Sequence, residues 1–142
     1  MKFIKYDYKI VQGWIDTHPL INFLLIGKKK TIPLKGIVDT GSYFTILHSY
    51  FAEEVGYILP EKVNQKLETV NGITWGKLIN ADIKFMDDFS QRSLIINTNI
   101  VFVDNLKFSK EAVLLGRFNI FNKFKEVAFS ENTINKNVKF KY

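Results

Sequence analysis

Apolar and polar residues alternate with a period of two along much of the chain, and this period is typical of β-strands. The first predicted strand places four apolar side chains on one face: Ile4, Tyr6, Tyr8 and Ile10. The final segment, residues 137–142, alternates in the same way. We therefore predict an all-β fold for residues 1–142, taken as one domain, in which a small β-barrel carries one or two short helices.

Two segments, residues 20–26 and 31–38, are nearly continuous apolar runs, as expected for core strands that are buried on both faces. The turn between them carries Lys28, Lys29 and Lys30, so the two runs predict a hairpin with a solvated tip. Further strands are predicted by the same patterns at residues 62–70, 73–85, 94–103 and 111–115.

One short helix is predicted at residues 49–56. Ser49 is a suitable N-cap, because its hydroxyl can accept a hydrogen bond from the first turn. Glu53 and Glu54 lie early in the segment, and Gly56 stands where a glycine commonly ends a helix. The helix should therefore run from Ser49 to just before Gly56.

The composition is that of a globular protein and argues against several classes. The chain has 142 residues, of which 46% are hydrophobic, and it contains no cysteine. Neither a disulfide framework nor a thiolate metal site is therefore expected. No apolar run reaches the roughly 18 residues of a membrane-spanning helix, and residues 1–7 lack the apolar block of a signal peptide. We expect no membrane partner and, by default, a cytoplasmic location.

The net charge of +6 would suit nucleic acid, an anionic membrane or an acidic substrate. The lysines are dispersed, however, and we interpret the one tight cluster, residues 28–30, as the solvated hairpin turn, with phosphate binding as the alternative. No zinc-finger spacing or RNA-binding aromatic motif is present, so a nucleic-acid partner is not expected. His18 and His48 stand outside any metal-binding spacing, and no metal site is predicted.

The sequence Asp39-Thr40-Gly41 joins two apolar segments, residues 31–38 and 44–47. A sharp turn here would hold a carboxylate between two buried strands. In a low dielectric the charged form is disfavoured unless hydrogen bonds or a partner compensate, and such groups are found mainly where they perform chemistry. The alternative is an ordinary turn, in which the aspartate bonds to its own backbone and the glycine takes a positive φ.

A second segment lies downstream, where Leu114-Leu115-Gly116-Arg117 forms an apolar strand that ends in glycine and arginine. Together with the Asp-Thr-Gly sequence, it resembles the retropepsin-like aspartic peptidases, and the resemblance covers most of the chain. In that family the aspartate of the loop is catalytic, and the hydrophobic-Gly strand threads close behind it. The resemblance therefore implies that Asp39 is the catalytic residue of a closed, acid-protease-like β-barrel.

The same resemblance implies two elements near the C-terminus. Residues 116–124 resemble the family's C-terminal helix, and residues 126–129 resemble the strand that follows it. Members of the family commonly join their subunits through a sheet woven from both termini, and the alternating segments 3–10 and 138–142 would suit that role. The sequence leaves the pairing partners of these segments open.

An aspartic peptidase activates water between two carboxylates that share one proton, because two like charges about 3 Å apart cannot both ionise. The chain contains a single Asp-Thr-Gly sequence, so the resemblance implies a homodimer with one Asp39 from each subunit. Gly41 would let the two loops approach, and Thr40 would hydrogen-bond to the opposite loop. The hydroxyl of Ser42 is expected to bond the carboxylate. This chemistry needs no metal or organic cofactor.

The predicted hairpin between residues 62–70 and 73–85 resembles the flap that closes over bound peptide in this family. Its turn has the Asn-Gly sequence that is most typical of two-residue hairpin loops. On this basis five residues are assigned to substrate binding: Val70, Asn71, Gly72, Ile73 and Trp75. The alternatives are an ordinary surface hairpin and, for Trp75, a place in the core.

One departure from the family pattern concerns Arg117. Retroviral members pair this arginine with an acidic residue four positions after the catalytic aspartate, and Tyr43 occupies that position here. Arg117 must therefore find another partner or stack on Tyr43.

The sequence predicts a homodimeric aspartic endopeptidase that cleaves extended peptide segments with apolar side chains near the scissile bond. Two other functions stay open. One is a catalytically silent dimeric module of the same fold that binds peptides or serves as a scaffold. The other is a basic β-barrel that binds nucleic acid, and it rests on charge alone.

Overall fold

The computed structural model describes residues 2–11, 13, 15–69, 72–104, 113–132 and 134–142. The strands in these residues are β1 (Phe3–Asp7), β2 (Lys9–Ile10), β3 (Thr17–His18), β4 (Leu20–Ile26), β5 (Thr31–Val38), β6 (Thr45–His48), β7 (Gln65–Thr69), β8 (Gly72–Met86), β9 (Ser93–Val103), β10 (Leu114–Leu115), β11 (Glu126–Ser130) and β12 (Asn137–Lys141). One α-helix, α1 (Ser49–Val55), follows β6, and a 3-10 turn spans Phe121–Lys123. No helix in the described ranges is both long and apolar enough to cross a membrane.

The larger sheet closes on itself. Its strand order is β4-β5-β10-β6-β9-β8-β7, and β4 also pairs with β8, so β7 extends a ring formed by the other strands. The 15 residues of β8 make this possible. Its first part pairs with β7, and the remainder pairs with β9 on one side and, over residues 82–85, with β4 on the other. The predicted all-β fold with a short helix is confirmed.

A smaller sheet has the order β1-β12-β11 and is antiparallel throughout. Phe3 lies opposite Lys141, so the two terminal segments pair with each other within one chain. After β1 the chain leaves this sheet, and β2 pairs with β3 instead. The prediction that Ile10 shares the buried face of Ile4 is therefore wrong, and the Ile10 side chain is 77% exposed.

The hairpin predicted from the two apolar runs is confirmed as β4 and β5, with Ile26 opposite Thr31. Burial alternates along β4, however. Ile21, Phe23 and Leu25 are fully buried, whereas the residues between them are only partly buried. The expected burial on both faces is wrong, because a ring of strands has a single interior.

The helix α1 is capped by His48 rather than by the predicted Ser49. The backbone of His48 is extended, with φ −67° and ψ 141°, and its Nδ1 atom accepts the amide hydrogen of Tyr50 at 3.1 Å. Ser49 is the first helical residue, and it is buried. Gly56 ends the helix as predicted, in a left-handed conformation with φ 92° that glycine adopts at little cost.

Residues 116–124 do not form the predicted helix. Asn119 has a φ of 55°, and this left-handed conformation interrupts a right-handed helix. Only the 3-10 turn Phe121–Lys123 follows. The segment is rich in phenylalanine and asparagine, which are weak helix formers, so local preference does not oppose the break. The strand predicted at residues 126–129 is confirmed as β11.

Three phenylalanines join the smaller sheet to the ring. Phe140 of β12 lies 5.3 Å from Phe85 of β8 and 5.0 Å from Phe124, measured between ring centroids. Phe85 and Phe124 meet edge to face at 5.6 Å. All three are buried, and aromatic pairs of this kind add about 0.5–1.5 kcal/mol each beyond their buried area. This cluster makes the two sheets parts of one core.

Candidate active site

Asp39 lies at the start of the loop between β5 and β6. The residue is partly buried, and its Oδ1 atom accepts the amide hydrogen of Gly41 at 2.9 Å. Its carbonyl oxygen accepts the amide hydrogen of Ser42 at 3.2 Å. The bond from the Gly41 amide to Asp39 Oδ1 is the one expected of an ordinary Asp-x-Gly turn, whereas the positive φ expected of the glycine in such a turn is not found at Gly41. A Cβ atom on Gly41 would lie 3.3 Å from Asp39 Oδ1, so the glycine leaves room for the carboxylate.

The strand β10 passes between the two strands that flank this loop. Leu114-Leu115 pairs in parallel with the end of β5, and Leu114 also lies opposite Ile46 of β6. The carbonyl oxygen of Leu115 accepts the amide hydrogen of Asp39 at 2.9 Å. The structure therefore brings together the two sequence segments that carry the family resemblance, with the second directly behind the first.

Gly116, which follows β10, extends the contact between this segment and the Asp39 loop. Its amide donates to Thr45 Oγ1 at 3.0 Å, and a Cβ atom on Gly116 would lie only 2.3 Å from the carbonyl oxygen of Phe44. The next two amides, those of Arg117 and Phe118, donate to the carbonyl oxygens of Ser42 and Tyr43 at 3.0 and 2.7 Å. The backbone around Asp39 is thus fixed by a segment that is remote in sequence.

Sequence reasoning missed Thr45, which is fully buried. Its hydroxyl accepts the bond from Gly116 in the interior, where an unsatisfied amide would be costly. The sequence feature that could have indicated this role is the single threonine in the apolar run 44–47. Threonine is also common in ordinary strands, so the feature is not specific.

Ser42 does not bond the carboxylate as expected. Its hydroxyl donates to the carbonyl oxygen of Phe44 at 2.7 Å, because the turn brings that carbonyl within reach of the short side chain. Thr40 and Gly41 are exposed. The role of Thr40 toward an opposite loop stays a prediction.

Arg117 takes the second of its two predicted alternatives and stacks on Tyr43. The guanidinium carbon lies 5.9 Å from the centre of the Tyr43 ring. That ring in turn stacks on Phe118 at 5.2 Å, with 21° between the ring planes. The Tyr43 side chain is 51% exposed, and a cation–π contact at an exposed site contributes about 0.5–1 kcal/mol. An aromatic stack therefore stands where retroviral members have an ion pair.

The hairpin of β7 and β8 turns at Gly72, which has a φ of 111° and lies opposite Thr69. Ile73 and Trp75 are 61% and 53% exposed, so Trp75 is not a core residue. Both side chains leave the same face of the strand, since they are two positions apart. Val70 and Asn71 lie outside the described residues.

The Asp39 loop and the β10 segment behind it together supply one carboxylate. Asp39 is the only acidic residue in the two contacting segments, 37–48 and 113–119. A lone carboxylate can act as a base but cannot share a proton, so dyad chemistry requires a second copy of the loop. Within the described ranges, no group of three or more histidine, aspartate or glutamate residues is placed to hold a metal ion.

Solved structures resemble this fold. A retropepsin-like aspartic protease from Rickettsia conorii matches with a TM-score of 0.55 and 17% identity, over 98% of this chain and 93% of that chain. This chain has a retropepsin-like fold. The EIAV protease, solved in complex with an inhibitor, matches with a TM-score of 0.46 and 17% identity, over 76% of this chain and 88% of that chain. No protein-family model matches the sequence, and no curated protein does.

Proposed function

We propose that this protein is a homodimeric aspartic endopeptidase, in which a water molecule is activated between two Asp39 carboxylates, one from each subunit. The observation that supports it most is the position of β10 between β5 and β6, with Leu115 bonded to the Asp39 amide. A turn without a function needs no such support, because its two flanking strands can simply pair with each other as a hairpin.

The proposed mechanism follows from two carboxylates in contact. Like charges about 3 Å apart cannot both ionise, so the pair holds one proton between them. The ionised carboxylate removes a proton from water, and the water oxygen attacks the scissile carbonyl carbon while the protonated carboxyl donates a hydrogen bond to the carbonyl oxygen. The C–N bond of the resulting tetrahedral intermediate then breaks as a carboxyl of the pair donates its proton to the leaving nitrogen. The two groups titrate as a unit, which gives a bell-shaped dependence of rate on pH. Thr40 and Gly41 are exposed, as contact with the partner's loop requires.

The substrate class is an extended peptide with apolar side chains near the scissile bond. We assign the hairpin of β7 and β8 as the flap, with Gly72, Ile73 and Trp75 facing substrate. Ile73 and Trp75 are large apolar residues left more than half exposed on one strand face, and an apolar peptide side chain would cover them. No metal or organic cofactor takes part. The cytoplasmic location expected from composition stays a prediction.

The test compares wild type with Asp39→Asn and a control, Asp104→Asn. The second substitution removes a carboxylate from an exposed position at the end of β9. Each protein is incubated with a diverse peptide pool from acidic to neutral pH, and the cuts are mapped by mass spectrometry. Wild type and Asp104→Asn should produce the same cuts, and Asp39→Asn should produce none, because asparagine keeps the shape of the side chain but cannot act as a base.

Three outcomes contradict the proposal. Cleavage by purified Asp39→Asn at the wild-type level would end the assignment of Asp39. A folded dimeric wild type that cuts nothing at any pH would favour a silent peptide-binding or scaffold module. Salt-dependent binding of DNA or RNA that survives Asp39→Asn, without cleavage, would favour the basic nucleic-acid-binding function.

A further inference from the structure

The smaller sheet carries opposite charges at its two ends. Seven cations lie at the end where β1 begins and β12 ends: Lys2, Lys5, Arg92, Lys123, Lys125, Lys139 and Lys141. The side-chain carboxylates that the described ranges place among them are those of Asp87 and Glu126. The other end holds four carboxylates beside Lys9 and Lys136, those of Asp7, Asp16, Asp88 and Glu131. We call the group of seven cations the basic end of the sheet.

Backbone pairing brings the basic end together from four separate segments of the chain. The carbonyl of Lys2 accepts the amide hydrogen of Tyr142 at 2.9 Å, and the carbonyl of Lys141 accepts that of Lys125 at 2.7 Å. Three lysines therefore lie side by side on three neighbouring strands. They are far apart along the chain, so the sequence alone indicates only dispersed lysines.

Lys5 and Lys139 form a pair of like charges on the face of the sheet that points away from the core. They lie directly opposite each other on β1 and β12, and like charges in this position are destabilising. In the described part of the chain, neither lysine forms an ion pair, and neither does Arg92. A bound anion would therefore remove a repulsion that the chain itself leaves in place.

Aromatic rings hold these three cations without neutralising them. The Nζ atom of Lys139 and the guanidinium carbon of Arg92 lie 5.4 and 5.6 Å from the centre of the Phe3 ring. The Nζ atom of Lys5 lies 5.6 Å from the centre of the Phe89 ring, and the Phe89 side chain is 64% exposed. Fixed positive charges beside an exposed ring suit a ligand that carries both negative charge and a flat aromatic group.

The two carboxylates of the basic end are engaged within the chain. Glu126 Oε1 lies 2.9 Å from the Nζ atom of Lys141, and Asp87 Oδ1 accepts the amide hydrogen of Lys5 at 2.6 Å. Seven cationic side chains and two carboxylates leave this end with a side-chain charge of +5. The basic end is therefore complementary in charge to an anionic partner.

We propose that the basic end binds single-stranded nucleic acid, with phosphates beside Lys5, Lys139 and Arg92 and one base stacked on Phe89. Proteins that bind such strands without reading their sequence combine a positively charged surface with exposed aromatic side chains. None of these four residues belongs to the Asp39 loop or to β10, so the proposal does not depend on the proposed function.

Three other anionic partners suit the basic end less well. An anionic membrane presents a broad negative surface, which would also meet the acidic end of the same sheet, whereas a single strand can follow the basic end alone. An acidic polypeptide supplies carboxylates but no flat ring for Phe89. A nucleic-acid duplex supplies phosphates, but its bases are stacked on one another and are not available to the ring.

The electrostatic part is tested by the fluorescence anisotropy of a labelled oligothymidylate over a range of salt concentrations. For single strands, the logarithm of the affinity falls with the logarithm of the salt concentration by about 0.7 per neutralised phosphate. Lys139→Gln should therefore weaken binding and reduce this slope by about 0.7, and Lys139→Arg should restore both. The matched control, Lys62→Gln, should leave the slope unchanged. Lys62 is exposed and lies near the start of β8, since the amide of Asn64 donates to the Gly76 carbonyl, whereas Phe85, which contacts the smaller sheet, lies near its end.

A second pair of variants tests the stacked base. Phe89→Ala should raise the dissociation constant of the oligothymidylate about fivefold or more, as the loss of base–aromatic stacking does in other proteins, without changing the salt slope. Phe89→Tyr keeps the ring and should bind like wild type. A duplex of the same length should bind Phe89→Ala and wild type equally. Circular dichroism and thermal midpoints show that each variant is folded.

Several outcomes would overturn the proposal: no salt-dependent binding by wild type, equal losses for Lys139→Gln and Lys62→Gln, or a Phe89→Ala protein that binds the strand as tightly as wild type. Binding of phosphatidylserine vesicles or polyglutamate that requires Lys139, without binding of the oligothymidylate, would also overturn it and assign the surface to another partner. Peptide cleavage is a separate measurement. A wild type that binds the strand but cleaves no peptide would leave the nucleic-acid surface standing and contradict the peptidase assignment.

Discussion

Two glycines beside Asp39 lack side chains for different reasons. A Cβ atom on Gly41 would lie 3.3 Å from the Asp39 carboxylate, at the surface of the loop. A Cβ atom on Gly116 would lie 2.3 Å from the backbone carbonyl oxygen of Phe44, in the interior. The first contact can be relieved by a small movement of the carboxylate. The second requires two backbone segments to separate.

We expect Gly41→Ala and Gly116→Ala to differ in what they damage. Gly41→Ala should lower kcat/KM about tenfold or more with little change in thermal midpoint, since the substitution displaces Asp39, the group proposed to be catalytic, and displacement of such a group reduces the rate steeply. Gly116→Ala should lower the free energy of unfolding by about 1–3 kcal/mol or more, as overpacking of a core does. Peptide cleavage and urea unfolding of both variants make the comparison. Equal losses of stability would contradict this assignment of the two glycines.

At the scale of residues, the sequence predicted what a short motif encodes. Asp39, Gly41 and Gly116 each belong to a short sequence pattern that favours a particular backbone geometry wherever it occurs. The bond from Gly116 to Thr45 and the bond from Ser42 to the Phe44 carbonyl are different, because each depends on which groups the fold brings within about 3 Å of one another. No local pattern carries that information.

At the scale of elements, the turn at residues 87–90 fastens β1 to the ring, and Asp87 carries part of this contact. Burial, the largest single contribution, raises the pKa of Asp87. Hydrogen bonds from the amides of Lys5 and Phe89 and from the Ser90 side chain, together with the positive charge of Arg92, act in the opposite direction and leave the pKa lowered. The ionised form therefore stabilises the turn.

The lowered pKa of Asp87 determines how the stability of the protein should depend on pH. A carboxyl with a folded pKa below its unfolded value, about 3.9, contributes stability above that value and loses it as the pH falls through the folded pKa. Wild type should therefore exceed Asp87→Asn in unfolding free energy at neutral pH, and the difference should shrink below about pH 4. Urea titrations at several pH values measure it, with Asp104→Asn as the control for net charge. A difference that grows toward acid would contradict the role of Asp87.

Elements with strong local signals were predicted with nearly correct bounds. Gly56 ended the helix as predicted, and the hairpin of β4 and β5 formed across its lysine turn. The prediction of a helix at residues 116–124 was wrong. It came from the family resemblance alone, and in the structure Asn119 takes a left-handed conformation and its side chain bonds to Asn99 on β9. That bond is a tertiary contact, which overrides a weak local preference.

At the scale of the whole molecule, stability should depend on the phenylalanine cluster that joins the two sheets. Phe140→Ala removes a ring that is 1% exposed and should cost about 3–5 kcal/mol, a large part of the 5–15 kcal/mol typical of a domain. Ile134→Ala, at a side chain that is fully exposed, should cost almost nothing. Urea unfolding gives both values. A loss below about 1 kcal/mol for Phe140→Ala would contradict the joint core.

The strand order of the whole molecule was the least predictable level. A period of two tells which face of a strand is buried, but it does not tell which strand lies beside it. The closure of the ring through β4 and β8 and the pairing of β1 with β12 join segments far apart in the chain. The family resemblance predicted the retropepsin-like fold, and the period of two predicted most of the strands.

The passage of β10 between β5 and β6 has a consequence for protein synthesis. As the chain leaves the ribosome, β5 and β6 emerge early, and each has an open edge until residues 114–115 arrive to fill the gap. Nascent chains with open strand edges are prone to misassociate, and pairing between distant segments folds slowly. The Asp39 loop therefore acquires its backbone support only after most of the chain has been translated, so an incomplete chain carries the aspartate without the geometry that the proposed catalysis requires.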